Sequence, residues 1–268
     1  MFIRKNSGRC LMYNAPEKKI LILGSALPNV SEAELRALCR IWEAALLPRL
    51  APEQLRHIRR FVPEGAALSA RASRLLARLL LLRGLQMLEE DVSRPGIRLD
   101  RDALGRPLLP GWIVGFSHSG RAAFCALRRR LDGFHKWKKG KPEPRYDPYP
   151  GSGWETGLGL DAEALDNFPP AARAFAGRAG MDMAARDALR RWTVKEAALK
   201  ALGMGLTLDP ALIYSGRNGR RAGVLRVQGQ NLRWRVLVCP AHWLCLAYGG
   251  AETHPAISLH WLHAARAI

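Results

Sequence analysis

A chain of 268 residues, 48% of them hydrophobic, is long enough for one large domain or two small ones with a sizeable core. Its 42 lysines and arginines against 23 acids give a formal charge of +19, which excludes an acidic solvating chain and attracts anions: nucleic acid, an anionic membrane, a phosphorylated cofactor or an acidic protein. Five cysteines, odd in number and without C-x-x-C spacing, argue against a disulfide framework and against zinc, so a reduced, cytoplasmic setting is expected.

Residues 1–19 hold no long apolar run, and the leucine run at 75–82 is broken by Arg78 and too short to cross a bilayer, so neither secretion nor a membrane span is expected. Residues 18–24 predict a buried strand. Ser31 with Glu32 and Glu34 predicts a helix start, and Leu35, Leu38, Ile41, Trp42 and Ala45 form its apolar stripe. A second helix is predicted over 52–61. A third, over 70–88, carries Arg71, Arg74, Arg78 and Arg83, which by the usual behaviour of arginine belong mostly in solvent. A turn-rich approach at 100–107 leads to a strand at 113–119 containing Ser117-His118-Ser119, and a further strand at 121–131 ends in arginines. Residues 133–156 are rich in Gly, Pro, aromatic and basic residues, with five basic residues and one acid between Lys136 and Arg145. They read as a surface loop inserted between two halves and suited to an acidic partner; stacking and phosphate attraction on single-stranded nucleic acid is the competing reading.

Residues 157–163 predict a strand in which Asp161 and Glu163, two apart, project to the same side. The helix predicted over 186–202 places Trp192, Glu196 and Lys200 at i, i+4 and i+8, on one face, and ends at Gly203. A solvated Glu–Lys pair is the bland reading of that face. Two adjacent acids repel unless a cation lies between them, however, and Mg2+ (or Mn2+) takes carboxylates together with phosphate oxygens. Asp161, Glu163 and Glu196 make such a half-shell. Strands at 223–228, 232–238, 243–248 and 257–262 are then expected to form a sheet behind the 186–202 helix.

In this order the segments resemble the 4'-phosphopantetheinyl transferases of the surfactin-synthetase type. Residues 159–163 are similar to that family's G-x-D-x-E strand, 192–200 to its W-x-x-K-E-A-x-x-K helix, 114–119 to its F-N-x-S-H-S strand, with Gly115 in place of Asn, and 105–107 to its G-K-P approach. The resemblance implies an α+β fold of two pseudo-twofold, helix-on-sheet halves (1–132 and 157–268, joined by the 133–156 insertion) with the active site in the cleft between them.

It also implies Mg2+-dependent transfer of 4'-phosphopantetheine from coenzyme A to a serine of an apo acyl or peptidyl carrier protein of fatty acid, polyketide or nonribosomal peptide synthesis. Adenosine 3',5'-bisphosphate would be released. Under it, Asp161, Glu163 and Glu196 hold the metal, and Glu196, Lys200 and His118 are catalytic. Arg74, with Arg71 as its competitor, meets the 3'-phosphate; Arg106 and Pro107 lie against the adenine; Ser117 and His118 meet adenine and pyrophosphate; Lys195 supports Lys200. A monomer with an acidic carrier as partner is expected, without membrane or nucleic acid. The rival reading is a non-catalytic basic adaptor that binds nucleic acid through 136–145 and the helical arginines.

Overall fold

The computed structural model describes residues 19–62, 64–90, 92, 98–102, 105–130, 157–166, 185–216, 219–249 and 255–263. The expected 133–156 loop, with its basic stretch, lies outside the described residues.

The first sheet is built around β1 (Lys19–Ala26), whose six consecutive buried residues mark a strand covered on both faces. It pairs antiparallel with β5 (Ala122–Arg129), β5 with β4 (Trp112–Ser119), and β4 with the short β3 (Pro107–Leu109), which meets β2 (Asp100–Arg101). Leu21 and Leu23 face the helices, whereas Ile20 and Ile22 face the second sheet, as strand alternation requires.

Three helices cover the outer face: α1 (Glu32–Leu46), α2 (Pro52–Arg59) and α3 (Gly65–Met87). Ser31 begins α1 with a reciprocal cap, its hydroxyl accepting from the Glu34 N–H at 3.3 Å while the Glu34 carboxylate accepts from the Ser31 N–H at 2.8 Å. Such caps contribute about 1 kcal/mol. Helix α3 begins at Gly65, earlier than predicted, and buries Leu75, Leu76, Leu79 and Leu80. It lies so close to β5 that a Cβ on Gly84 would come within 2.3 Å of the Leu127 side chain.

The second sheet is antiparallel throughout, in the order β6 (Leu158–Ala164), β9 (His242–Tyr248), β8 (Gln230–Cys239), β7 (Ala222–Val227). One face packs against α4 (Ala185–Leu202) through Val194, Ala198, Leu225, Leu232 and Trp234. The other packs against the first sheet, with Leu158, Leu160, Leu244 and Leu246 meeting Ile20, Ile22 and Phe124. The described residues therefore stack as helices, sheet, sheet, helix.

One expectation needs correcting. The strand at 257–262 does not back the 186–202 helix: as β10 (Ala256–Leu262) it pairs parallel with β1, at the edge of the first sheet. Its short alternating pattern suits either sheet, and what places it is the packing of Ile257 and Leu259 into the layer between the sheets. Among the described residues, Cys39, Cys125, Cys239 and Cys245 are buried free thiols.

The contact between α4 and β6 has no room for a side chain at Gly159, where a Cβ would lie 1.9 Å from the Ala197 carbonyl oxygen and 2.5 Å from the Ala201 nitrogen. Both obstacles are helix backbone, which cannot rotate away. Gly159→Ala is expected to cost about 3 kcal/mol or more, the upper range for overpacking, read as a lowered midpoint in urea unfolding.

Candidate active site

Strand β6 presents Asp161 and Glu163 on its α4 side, and the side-chain alternation of β4 explains how they are held. Ser117 and Ser119, also two apart, both point at β6. The Ser117 hydroxyl donates to Asp161 Oδ1 at 3.3 Å and accepts from the Ala162 N–H at 2.9 Å. The Ser119 hydroxyl donates to Glu163 Oε2 at 2.9 Å and accepts from the Ala164 N–H at 2.9 Å. The pattern repeats every two residues because both strands do. Close approach is possible because position 115 is glycine, where a Cβ would already meet the Leu158 carbonyl oxygen at 3.3 Å.

Helix α4 supplies the rest. The Glu196 carboxylate joins Asp161 and Glu163, with ligand oxygens of all three within 4.8 Å of one another. Lys200 Nζ lies 2.5 Å from Asp161 Oδ1 and 3.7 Å from Glu196 Oε2. Burial raises the pKa of Asp161 even though Lys200 opposes it, and burial together with Glu196 raises that of Glu163. Burial also works against the Lys200 ammonium, but Asp161, Glu196 and Glu163 outweigh it and raise its pKa. One ammonium among three carboxylates leaves the cluster short of positive charge. Asp161 Oδ2 is buried without a hydrogen-bond partner. A hard divalent cation fits this all-oxygen donor set and that orphaned oxygen.

A cavity of about 320 Å³ runs from Lys200 to the N-terminal helices. Ser117, His118, Arg106, Pro107 and Arg74 line it, as do Gln54, His57, Arg78, Arg101 and Arg130. Arg106 is held by Asp102, whose carboxylate accepts from its Nε and its backbone N–H, each at 2.7 Å. Arg71 turns the other way, into an ion pair with Glu43, so of the two competing arginines only Arg74 reaches the cavity. Arg74 stacks its guanidinium 3.8 Å from the Phe61 ring centroid. Lys195 is not brought to the cavity: its ammonium is buried and donates to the Pro210 carbonyl at 2.7 Å, because position 195 is rotated far from 200 around the helix. Trp192, on the same helix face as Glu196 and Lys200, is buried against Leu189 and Trp243.

Sequence reasoning placed the arginines of this helix mostly in solvent and did not single out Arg78, Gln54, His57 or Arg101. Arg78 is 6% exposed, and neither it nor Arg74 makes an ion pair among the described residues. A signal existed: an arginine flanked by Leu75, Leu76, Leu79 and Leu80 cannot reach water without leaving the apolar face. Burial, then Arg101, Arg60, Arg78 and Arg74, push the His57 imidazole down to about 4. The His118 ring opens to the cavity, yet desolvation by the cavity walls, followed by Arg74, Lys200 and Arg78, holds it down to about 3. The walls and the arginines thus favour the neutral imidazole of His118.

Residues 157–255 match the family model of the 4'-phosphopantetheinyl transferase superfamily. This stretch includes β6, α4 and all three acids, and its similarity is to a superfamily of transferases. No curated protein matches the chain significantly. No described helix is long and apolar enough to cross a membrane.

The depressed imidazole gives a test. In the ligand-free protein an NMR titration should find His118 neutral well below its ordinary value of 6.5, and Arg74→Ala should move it back towards that value. Because the folded pKa lies below the unfolded one, this histidine's contribution to stability is complete above pH 6.5 and is lost as pH falls towards 3.

Proposed function

We propose that the protein is a 4'-phosphopantetheinyl transferase of the surfactin-synthetase type, which moves the 4'-phosphopantetheine group of coenzyme A onto a serine of an apo acyl or peptidyl carrier protein. The observation that carries this reading is a cavity that reaches Lys200, beside the three carboxylates, at one end, and at the other Arg74 and Arg78, which make no ion pair among the described residues. A substrate with several phosphates, accompanied by a divalent cation, answers both needs. The superfamily match over 157–255 supports it.

Asp161, Glu163 and Glu196 would hold Mg2+ or Mn2+, which offsets the charge of a pyrophosphate when bound. Arg74 binds the 3'-phosphate, and Arg106 and Pro107 flank the adenine. Ser117 fixes Asp161, while neutral His118 donates a hydrogen bond towards the pyrophosphate. Glu196 accepts the proton of the carrier serine as its oxygen attacks phosphorus. The P–O bond to adenosine 3',5'-bisphosphate breaks, and Lys200 neutralises the departing phosphate. The two halves, 1–132 and 157–268, act as a pseudo-twofold, cytoplasmic monomer whose positive surface receives an acidic carrier.

The test is intact-mass measurement of apo carrier proteins incubated with coenzyme A, Mg2+ and the protein. A phosphopantetheine mass gain that EDTA and Asp161→Ala abolish is expected. Glu196→Gln should lower the rate at least ~100-fold, the usual scale of general-base catalysis; a rate within tenfold of wild type ends that role. No gain on any carrier, with metal-independent binding of oligonucleotides, would favour the basic adaptor instead.

A further inference from the structure

The deepest cation of the cavity is held by a neutral partner. Arg78 Nη2 donates to Gln54 Oε1 at 2.9 Å and Nη1 to the Arg74 carbonyl at 3.0 Å, while its guanidinium lies 4.8 Å from the Phe116 ring centroid. Its Nε is buried without a hydrogen-bond partner. Gln54, 2% exposed, uses the other end of its amide to donate from Nε2 to the Asp100 carbonyl at 2.8 Å. Among the described residues, every contact that orients Arg78 is therefore uncharged: an amide, a carbonyl and an aromatic face. A buried guanidinium is ordinarily paired with a carboxylate, because an isolated buried charge is costly. Glutamate at position 54 would supply that pair with little change in shape. Glutamine orients the arginine and leaves its charge unspent.

We infer that Gln54 is a positioning residue that keeps Arg78 uncompensated, so that Arg78 and Arg74, one helical turn apart on α3, form a deep subsite for a phosphate group. This rests on the phosphate-binding reading of the cavity and not on the transfer reaction. Arg101 and His57 border the same end of the cavity, and among the described residues no carboxylate lines it except Asp102, which is engaged by Arg106. The incoming anion supplies the charge that the fold withholds. Arg fits this task because its planar fork keeps donors for a phosphate after one edge is held by protein.

Calorimetric binding of adenosine 3',5'-bisphosphate, with pyrophosphate as a second probe, tests the charge and not merely the shape. Gln54→Ala, which removes only the orientation, should weaken binding a few-fold. Gln54→Glu should weaken it at least tenfold beyond Gln54→Ala, and in turnover the loss should fall on KM for coenzyme A more than on kcat. Arg78→Met should lose binding as Gln54→Glu does, and Arg83→Ala, exposed on the same helix, should bind like wild type. Gln54→Glu and Gln54→Ala binding within twofold of each other, or Arg78→Met binding like wild type, overturns the inference. If binding follows the expected order but no carrier gains mass, the subsite stands and the transferase reading falls.

Discussion

Two serine hydroxyls hold this structure at its most demanding point. β4 and β6 belong to different sheets, yet Ser117 and Ser119 join them with four hydrogen bonds of 2.9 to 3.3 Å, two to backbone N–H groups and two to carboxylates. The same hydroxyls that tie the sheets together fix the two acids that repel each other. Losing either would leave the N–H of Ala162 or Ala164 buried and unsatisfied, at about 1–3 kcal/mol. The seam also demands small neighbours, which accounts for Gly115 facing β6 and Gly159 lying under α4. His242 adds a further tie, its Nε2 lying 3.3 Å from the Ser119 carbonyl oxygen.

Around this seam the protein separates charge without neutralising it. Elsewhere its ion pairs are conventional: Arg71 and Arg59 share Glu43, and Arg190 and Arg191 share Asp187. At the site the pattern is withheld apart from the Arg106–Asp102 pair. The acids gather beside one lysine, and Arg74 and Arg78 of α3 gather beside an amide, a backbone carbonyl and two aromatic rings. The depressed imidazoles of His57 and His118 report burial first and then the excess of positive charge, and the raised carboxyl of Glu163 reports burial and the excess of negative. Stability is given up at both ends, as sites built for binding commonly do.

Much of this was legible from spacing. Period two brings Asp161 and Glu163 to one side, period 3.6 brings Glu196 beside Lys200, and Ser31 starts its helix as its side chain dictates. What spacing could not give was the environment of each side chain. Arg78 looks like any arginine of a basic helix until α2 is seen to place Gln54 against it. Lys195, adjacent to a site residue in sequence, is turned into the core by the 100° step of the helix. β10 was recognisable as a strand, but a strand does not carry the address of its sheet. That depends on which edge offers a complementary apolar face.

The placement of β10 has a consequence for how the protein is made. β1 has β5 on one side and on the other a strand from residues 256–262. Until residues 256–262 have left the ribosome, Ile20 to Ser25 keep an open edge on the strand at the heart of the first sheet. The N-terminal half can collapse early but cannot close, and completing it waits for a parallel contact spanning more than two hundred residues, the slow kind of contact in folding. The nascent chain is most exposed to edge-to-edge association during that interval. The two sheets that share the site are thus also bound together in time, the second half supplying the last strand of the first.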